Sequence, residues 1–277
     1  MGQLPPEMIK QVVFAGVFLG IMSIVDTLSY GVRTAGAYTK RLAIALALFN
    51  ILVIFSRLSN MFQAPIIGNF ADKVDQGHYT LENVIFALRI DLLFIIAGVL
   101  IGALMTPTII KLFSRGIELV NEKGSLPPVL AHGLRRFWRI KDYLAPPRIS
   151  SLLKYLDFRT LPITFLVFNI FVTCFYSIGV MSTVVAASID HSIAGTATNL
   201  SGIVNGIATM LLFIIVDPPA AVVIDRCISG DRTITDVKTM NVCLIATRLI
   251  GCILGLAILP AMGQYVLYAA GWVDAFF

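Results

Sequence analysis

Six long apolar stretches recur along this chain, at residues 8–30, 42–63, 83–108, 161–189, 196–224 and 241–268. Each reaches the roughly 20 residues that a helix needs to cross a hydrocarbon core. Strand-like alternation is absent. In lipid, backbone N–H and C=O groups must be paired within their own segment, so these stretches read as six transmembrane helices. Composition agrees. The 277 residues are 57% hydrophobic and only 13% charged, where a soluble domain carries about a quarter charged residues. The first stretch is long and has no small-residue cleavage site after it, so it is expected to be a retained helix, not a signal peptide.

Lys and Arg are distributed by side. The stretches 31–41, 109–160 and 225–240 fall on one side and hold 16 of the 21 basic residues. The opposite side, with both termini, holds only Lys10 and Lys73. The bias of Lys and Arg toward cytoplasmic loops puts both termini outside the cell. On this reading "DTLSYGVRTAGAYTKRL", Asp26 to Leu42, is the first cytoplasmic turn, with Arg33, Lys40 and Arg41 held by anionic headgroups.

The chain also repeats itself. "GIMS" at Gly20–Ser23 returns as "GVMS" at Gly179–Ser182, and at the same offset of 159 Ala35-Gly36 matches Ala194-Gly195. Further on, at an offset of 153, Pro65 matches Pro218, Gly77 matches Gly230, Thr80 matches Thr233, and Gly98 and Gly102 match Gly251 and Gly255. Each copy holds three spans, so the second copy enters from the opposite side. The expected fold is all-α: a polytopic membrane protein of six helices built as two inverted three-helix repeats. The expected parts are residues 1–110, a basic linker at 111–160, and residues 161–277. The paired Gly-xxx-Gly motifs allow close helix approach between the halves, or in a homodimer. Pro65 and Pro218-Pro219 are expected to break their helices near the ends.

Charges inside spans are costly and mark polar paths or buried pairs. Placed by depth, Arg57, Arg89 and Asp91 form an expected outer cluster, and Asp26, Asp217 and Arg248 an inner one with Arg33 below it. Structural salt bridges are the plain reading. The functional reading is a hydrated path with cationic sites in both leaflets, because guanidinium forks suit a diphosphate. Asp26, Asp91 and Asp217 are the candidates for ion coupling. Asn50, Asn60, Asn169, Asn199 and Asn205 suit interhelical hydrogen bonding.

The loop at 109–160 carries "LRRFWRIKDYL", in which Arg135, Arg136, Arg139 and Lys141 alternate with Phe137, Trp138 and Tyr143. Such a basic amphipathic segment lies in the membrane interface and binds anionic phospholipid; nucleic acid is not expected. The chain has no HExxH, no Gly-x-Ser-x-Gly and no P-loop, so no enzyme is expected. His78, His132 and His191 are scattered, and Cys174, Cys227, Cys243 and Cys252 form no CxxC pair. Neither metal nor cofactor is expected.

The stretch "DTLSYGVRTAG…TKRLAIALALFNILVIFSRLSNMFQAP", Asp26 to Pro65, resembles the bacterial Amj family. Its members are the alternate lipid II flippases, distinct from the flippase MurJ whose loss they can cover. The similarity extends along the whole chain and is most specific at 26–65. It implies a bacterial cytoplasmic membrane and, as cargo, a disaccharide-pentapeptide linked to undecaprenyl diphosphate. On that reading Arg33 and Arg248 bind the diphosphate on the inner side, and Arg57 and Arg89 release it outside. The residues themselves leave open an ion-coupled carrier of a small anion, or a scaffold whose charges are structural.

Overall fold

The structure, a computed structural model, describes residues 4–125, 144–145 and 154–276. Six helices among them are long and apolar enough to cross a membrane, and the protein is a multi-pass membrane protein. They are α1 (Pro6–Thr39), α2 (Leu42–Asp75), α3 (Leu81–Lys123), α4 (Ile163–Ile189), a fifth span in two parts, and α7 (Ile234–Phe276). The fifth span starts as α5 (Ala194–Leu211), passes through a π-turn at Leu212–Val216 and continues as α6 (Asp217–Ser229). The described residues contain no strand.

The helices outrun the apolar stretches that predict them. At 1.5 Å per residue, the 34 residues of α1 reach about 50 Å and the 43 of α3 about 65 Å, well beyond a hydrocarbon core of about 30 Å. The largest correction concerns the segment after Tyr30. It is not a turn. It stays helical to Thr39, and Gly31 through Ala37 are buried. Two of its polar side chains, Arg33 and Thr34, find partners on other helices. Asn241 on α7 donates to the Tyr30 carbonyl at 2.8 Å and to Thr34 Oγ1. Gly36 has a packing role, since a Cβ there would lie 2.6 Å from Ala45 Cβ. The missing side chain lets α2 fold back against the end of α1. The turn itself is short: Lys40 takes the left-handed conformation at φ 53° and its N–H bonds the Ala37 carbonyl.

The sequence offset of 153 recurs in the bounds of two helices. α3 and α7 each have 43 residues, and a shift of 153 carries the first and last residues of one onto those of the other. The turns before them agree as well. Gly77 and Gly230 both have positive φ, 73° and 93°, which only glycine adopts readily. Thr80 then caps α3 by accepting from the Asn83 N–H.

Each half packs in the same order, α1 on α3 and α2, then α4 on α7 and α5. A Cβ at Gly98 would sit 2.5 Å from the Gly20 carbonyl oxygen, and one at Gly251 would sit 2.6 Å from the Ile170 carbonyl oxygen. These glycines bring backbones together within each half. The register differs between the halves, because Gly179, the counterpart of Gly20, faces Asn205 instead of Gly251. Side-chain bonds reinforce both contacts. Ser23 donates to the Ile95 carbonyl at 2.8 Å, and Asn169 to Thr247 Oγ1 at 2.7 Å.

Pro65, Pro107 and Pro260 lie inside continuous helices, so Pro65 does not break α2. Pro218-Pro219 does mark a break. Two successive residues without a backbone N–H follow the π-turn, and each ring would crowd the carbonyl four residues earlier in a regular helix.

Contacts also sort the loops by end. Arg41 bonds Asn121, and Lys238 lies over the rings of Tyr38 and Tyr155 at 5.4 and 5.5 Å. The α1–α2 turn, the end of α3 and the start of α7 therefore share one end of the bundle. At the other end Asp75 pairs with His191 at 3.6 Å. The amphipathic reading of the central loop falls on Arg135, Arg136, Arg139 and Lys141, which lie outside the described residues.

Candidate functional site

Two ion pairs join α1 to the second half. Arg33 Nη2 donates to Asp217 Oδ1 at 3.0 Å, and Arg248 Nη2 donates to Asp26 Oδ2 at 3.1 Å. Asp26 also accepts from the Ser56 hydroxyl on α2. Asp217 is presented by the break in the fifth span, as the first residue after the π-turn. Phe49 lies under the Arg33 guanidinium at 4.8 Å. A charge in so apolar a setting needs such company, because an unpaired buried ion is strongly unfavourable.

Arg57 is different. It donates from Nη1 to the Tyr176 hydroxyl at 3.0 Å and lies over that ring at 5.3 Å. No carboxylate among the described residues pairs with it. Together these groups wall a cavity of about 160 Å³ between α1, α2, α4, the fifth span and α7. Three arginines face two aspartates across it, so its formal charge is +1. In surroundings of low dielectric that excess attracts an anion much more strongly than it would in water. The Nε atoms of Arg33 and Arg248 are buried without an acceptor, so the guanidinium groups retain unused donor capacity. The volume is similar to that of an engineered cavity of about 150 Å³ that takes up benzene. It has room for the charged part of a phosphate headgroup.

The four residues expected as an inner cluster, Asp26, Arg33, Asp217 and Arg248, stand together. The expected outer cluster does not assemble. Arg57 lines the same cavity as the inner four. Arg89 is exposed, while Asp91 is fully buried with neither carboxylate oxygen hydrogen-bonded. Sequence reasoning also missed Tyr30, Phe49, Ser56 and Tyr176. Adjacency carried a usable signal for one of them, since Ser56 precedes Arg57. The aromatic residues carried none, because Phe and Tyr are unremarkable in an apolar helix.

The comparisons with known proteins cover this whole site. The family model described as "Alternate to MurJ", Amj, matches residues 18–270. A protein of Bacillus subtilis (strain 168) named "Lipid II flippase Amj" is 34% identical over 265 residues, 95% of this chain and 97% of its own length. No solved structure matches. The matched stretch runs through every cavity-wall residue from Asp26 to Arg248, and by the extent of both matches the chain belongs to the Amj family.

Proposed function

We propose that this protein moves lipid II, the peptidoglycan precursor carried on undecaprenyl diphosphate, from the cytoplasmic to the outer leaflet of a bacterial membrane. The observation that carries this reading is a cavity with an excess guanidinium inside the membrane-spanning bundle of a chain whose relative is named a lipid II flippase. A diphosphate is the polar centre of such a lipid, and a guanidinium fork meets its oxygens with two donors while staying charged.

The end that gathers Arg41, Lys238 and the end of α3 faces the cytoplasm, where its charges collect anionic lipid. Arg57 offers its free charge first. Arg33 and Arg248 then exchange Asp217 and Asp26 for phosphate oxygens. Both ion pairs tie α1 to the second half, so this exchange releases the halves from one another. Inverted halves rocking about that site would present it to each leaflet in turn. Arg89 is outside the cavity and has no assigned part in this scheme.

A second reading, an ion-coupled carrier of a small anion, is favoured by the volume of about 160 Å³. Liposomes decide between them. Fluorescent lipid II is placed in both leaflets and then reduced from outside by dithionite. Reduction of the inner pool, with a labelled phospholipid protected, supports the flippase. If folded protein leaves the inner lipid II protected and instead accumulates a small phosphate ester, the flippase reading fails.

A further inference from the structure

We infer that the cavity opens sideways into the bilayer between α2 and α5, and that this seam holds the isoprenoid chain of a lipid whose diphosphate sits in the cavity. The inference rests on the reading of the cavity as a diphosphate site.

The first observation is a sparse contact. α2 packs on α1, α3 and α4, and α5 packs on α4 and α7, but α2 meets the fifth span chiefly at the His191–Ile193 turn before α5 and has no extensive contact with α5 itself. Both nevertheless wall the cavity, α2 through Asn50, Val53 and Arg57, and α5 with its π-turn through Ala208, Thr209 and Phe213. They are also the least covered spans. Their apolar windows are 17% and 28% buried, against 39% or more in the other four.

The second observation locates the mouth. Asn50 and Phe213 line the cavity and are also exposed, Phe213 by 58%. A cavity whose wall residues are exposed reaches the surface there. Asn50 lies one turn from Leu46 and from Ile54, both exposed. A lone amide in such an apolar stripe is unfavourable against hydrocarbon unless it meets a polar group. At the mouth of a charged cavity it meets one.

The third observation is the pattern of polarity. The interior is cationic, and both banks are apolar: Ile54, Phe55 and Leu58 on α2, and Ile207, Met210 and Ile214 on the other side. A soluble anion matches the interior and not the banks. A phosphate-headed lipid matches both. A cavity of this volume cannot contain the chain, so the chain has to leave through an opening, and the α2–α5 seam leads to hydrocarbon.

The test uses photo-crosslinking in the full-length protein. p-Benzoylphenylalanine replaces Phe213, Ile54 or, as a control on a different exposed face, Leu100 of α3. The probe is radiolabelled polyprenyl diphosphate in vesicles of phosphatidylethanolamine and phosphatidylglycerol. The expected result is labelling at positions 213 and 54 about tenfold above position 100. Unlabelled polyprenyl diphosphate should abolish it and added phosphatidylglycerol should not. Equal labelling at all three positions overturns the seam, and competition by phosphatidylglycerol overturns its isoprenoid occupant. The dithionite assay judges the transport reading separately. Seam labelling without flipping keeps the seam and removes the flippase; flipping without seam labelling does the reverse.

Discussion

Arg248 on α7 donates to Asp26 on α1 across 3.1 Å, although the two residues stand 222 positions apart in the chain. Removing one partner of such a pair leaves the other buried and uncompensated, at about 3–5 kcal/mol. Arg248→Ala is therefore expected to destabilise the protein strongly, with only Ser56 left to serve Asp26. The double variant Asp26→Asn/Arg248→Gln removes both charges and should lose much less than the two single variants summed. Thermal melts in detergent check this. Additive losses would mean that the pair is not coupled.

Arg57 should show the opposite division between stability and transport. Its partner is a tyrosine hydroxyl and ring, not a carboxylate, so Arg57→Ala strands no buried charge. The expected loss of stability is about 1–2 kcal/mol, with lipid II flipping slowed about tenfold or more, equivalent to at least 1.4 kcal/mol at the binding step. Arg57→Lys keeps the charge and loses the planar fork, so it should recover only part of the rate. The dithionite assay with melts alongside measures both. A full rate in Arg57→Ala would remove Arg57 from the site.

The number of spans was legible because lipid enforces it. Depth was less legible. Helices of 34 to 43 residues contain an apolar window but do not end with it, so Arg33 read as a loop residue when it belongs to α1. The misplacement of Arg57 has the same origin. Arg89 and Asp91 failed for a simpler reason. Residues two apart on a helix point to different faces, so the two could not have shared a site, and one is exposed while the other is buried. The inner cluster was legible because each of its charges stood alone in an apolar run and had to find another. The proposed α2–α5 seam was not legible at all, since sparse packing between two helices leaves no mark in composition.

Glycines at close approaches should be irreplaceable where their neighbours are backbone. A methyl at Gly98 would lie 2.5 Å from the Gly20 carbonyl oxygen and 2.8 Å from Ser23 Cβ. Gly98→Ala therefore forces α1 and α3 apart, at about 1–3 kcal/mol. Gly68 on α2 is the internal control. A Cβ there meets nothing within 4 Å, so Gly68→Ala is expected to stabilise by about 0.5–1 kcal/mol through helix propensity alone. Melting curves of the two variants should move in opposite directions. A shift of the same sign would mean that the α1–α3 approach is looser than the geometry indicates.

Asp91 on α3 is the one fully buried carboxylate among the described residues, and neither of its oxygens has a donor. Nothing in the packing explains why a leucine does not stand there. Burying a polar group without a hydrogen-bond partner is unfavourable, so an apolar residue of similar size relieves that cost. Asp91→Leu is accordingly expected to melt higher than the native protein. An ionisable side chain within a span is a candidate for carrying a coupling ion, the part expected of Asp91 from the sequence. The same variant should then lose any response of lipid II flipping to an imposed pH or sodium gradient. Higher melting with an unchanged gradient response would remove Asp91 from coupling. Lower melting would mean that its carboxylate has a donor in the membrane after all.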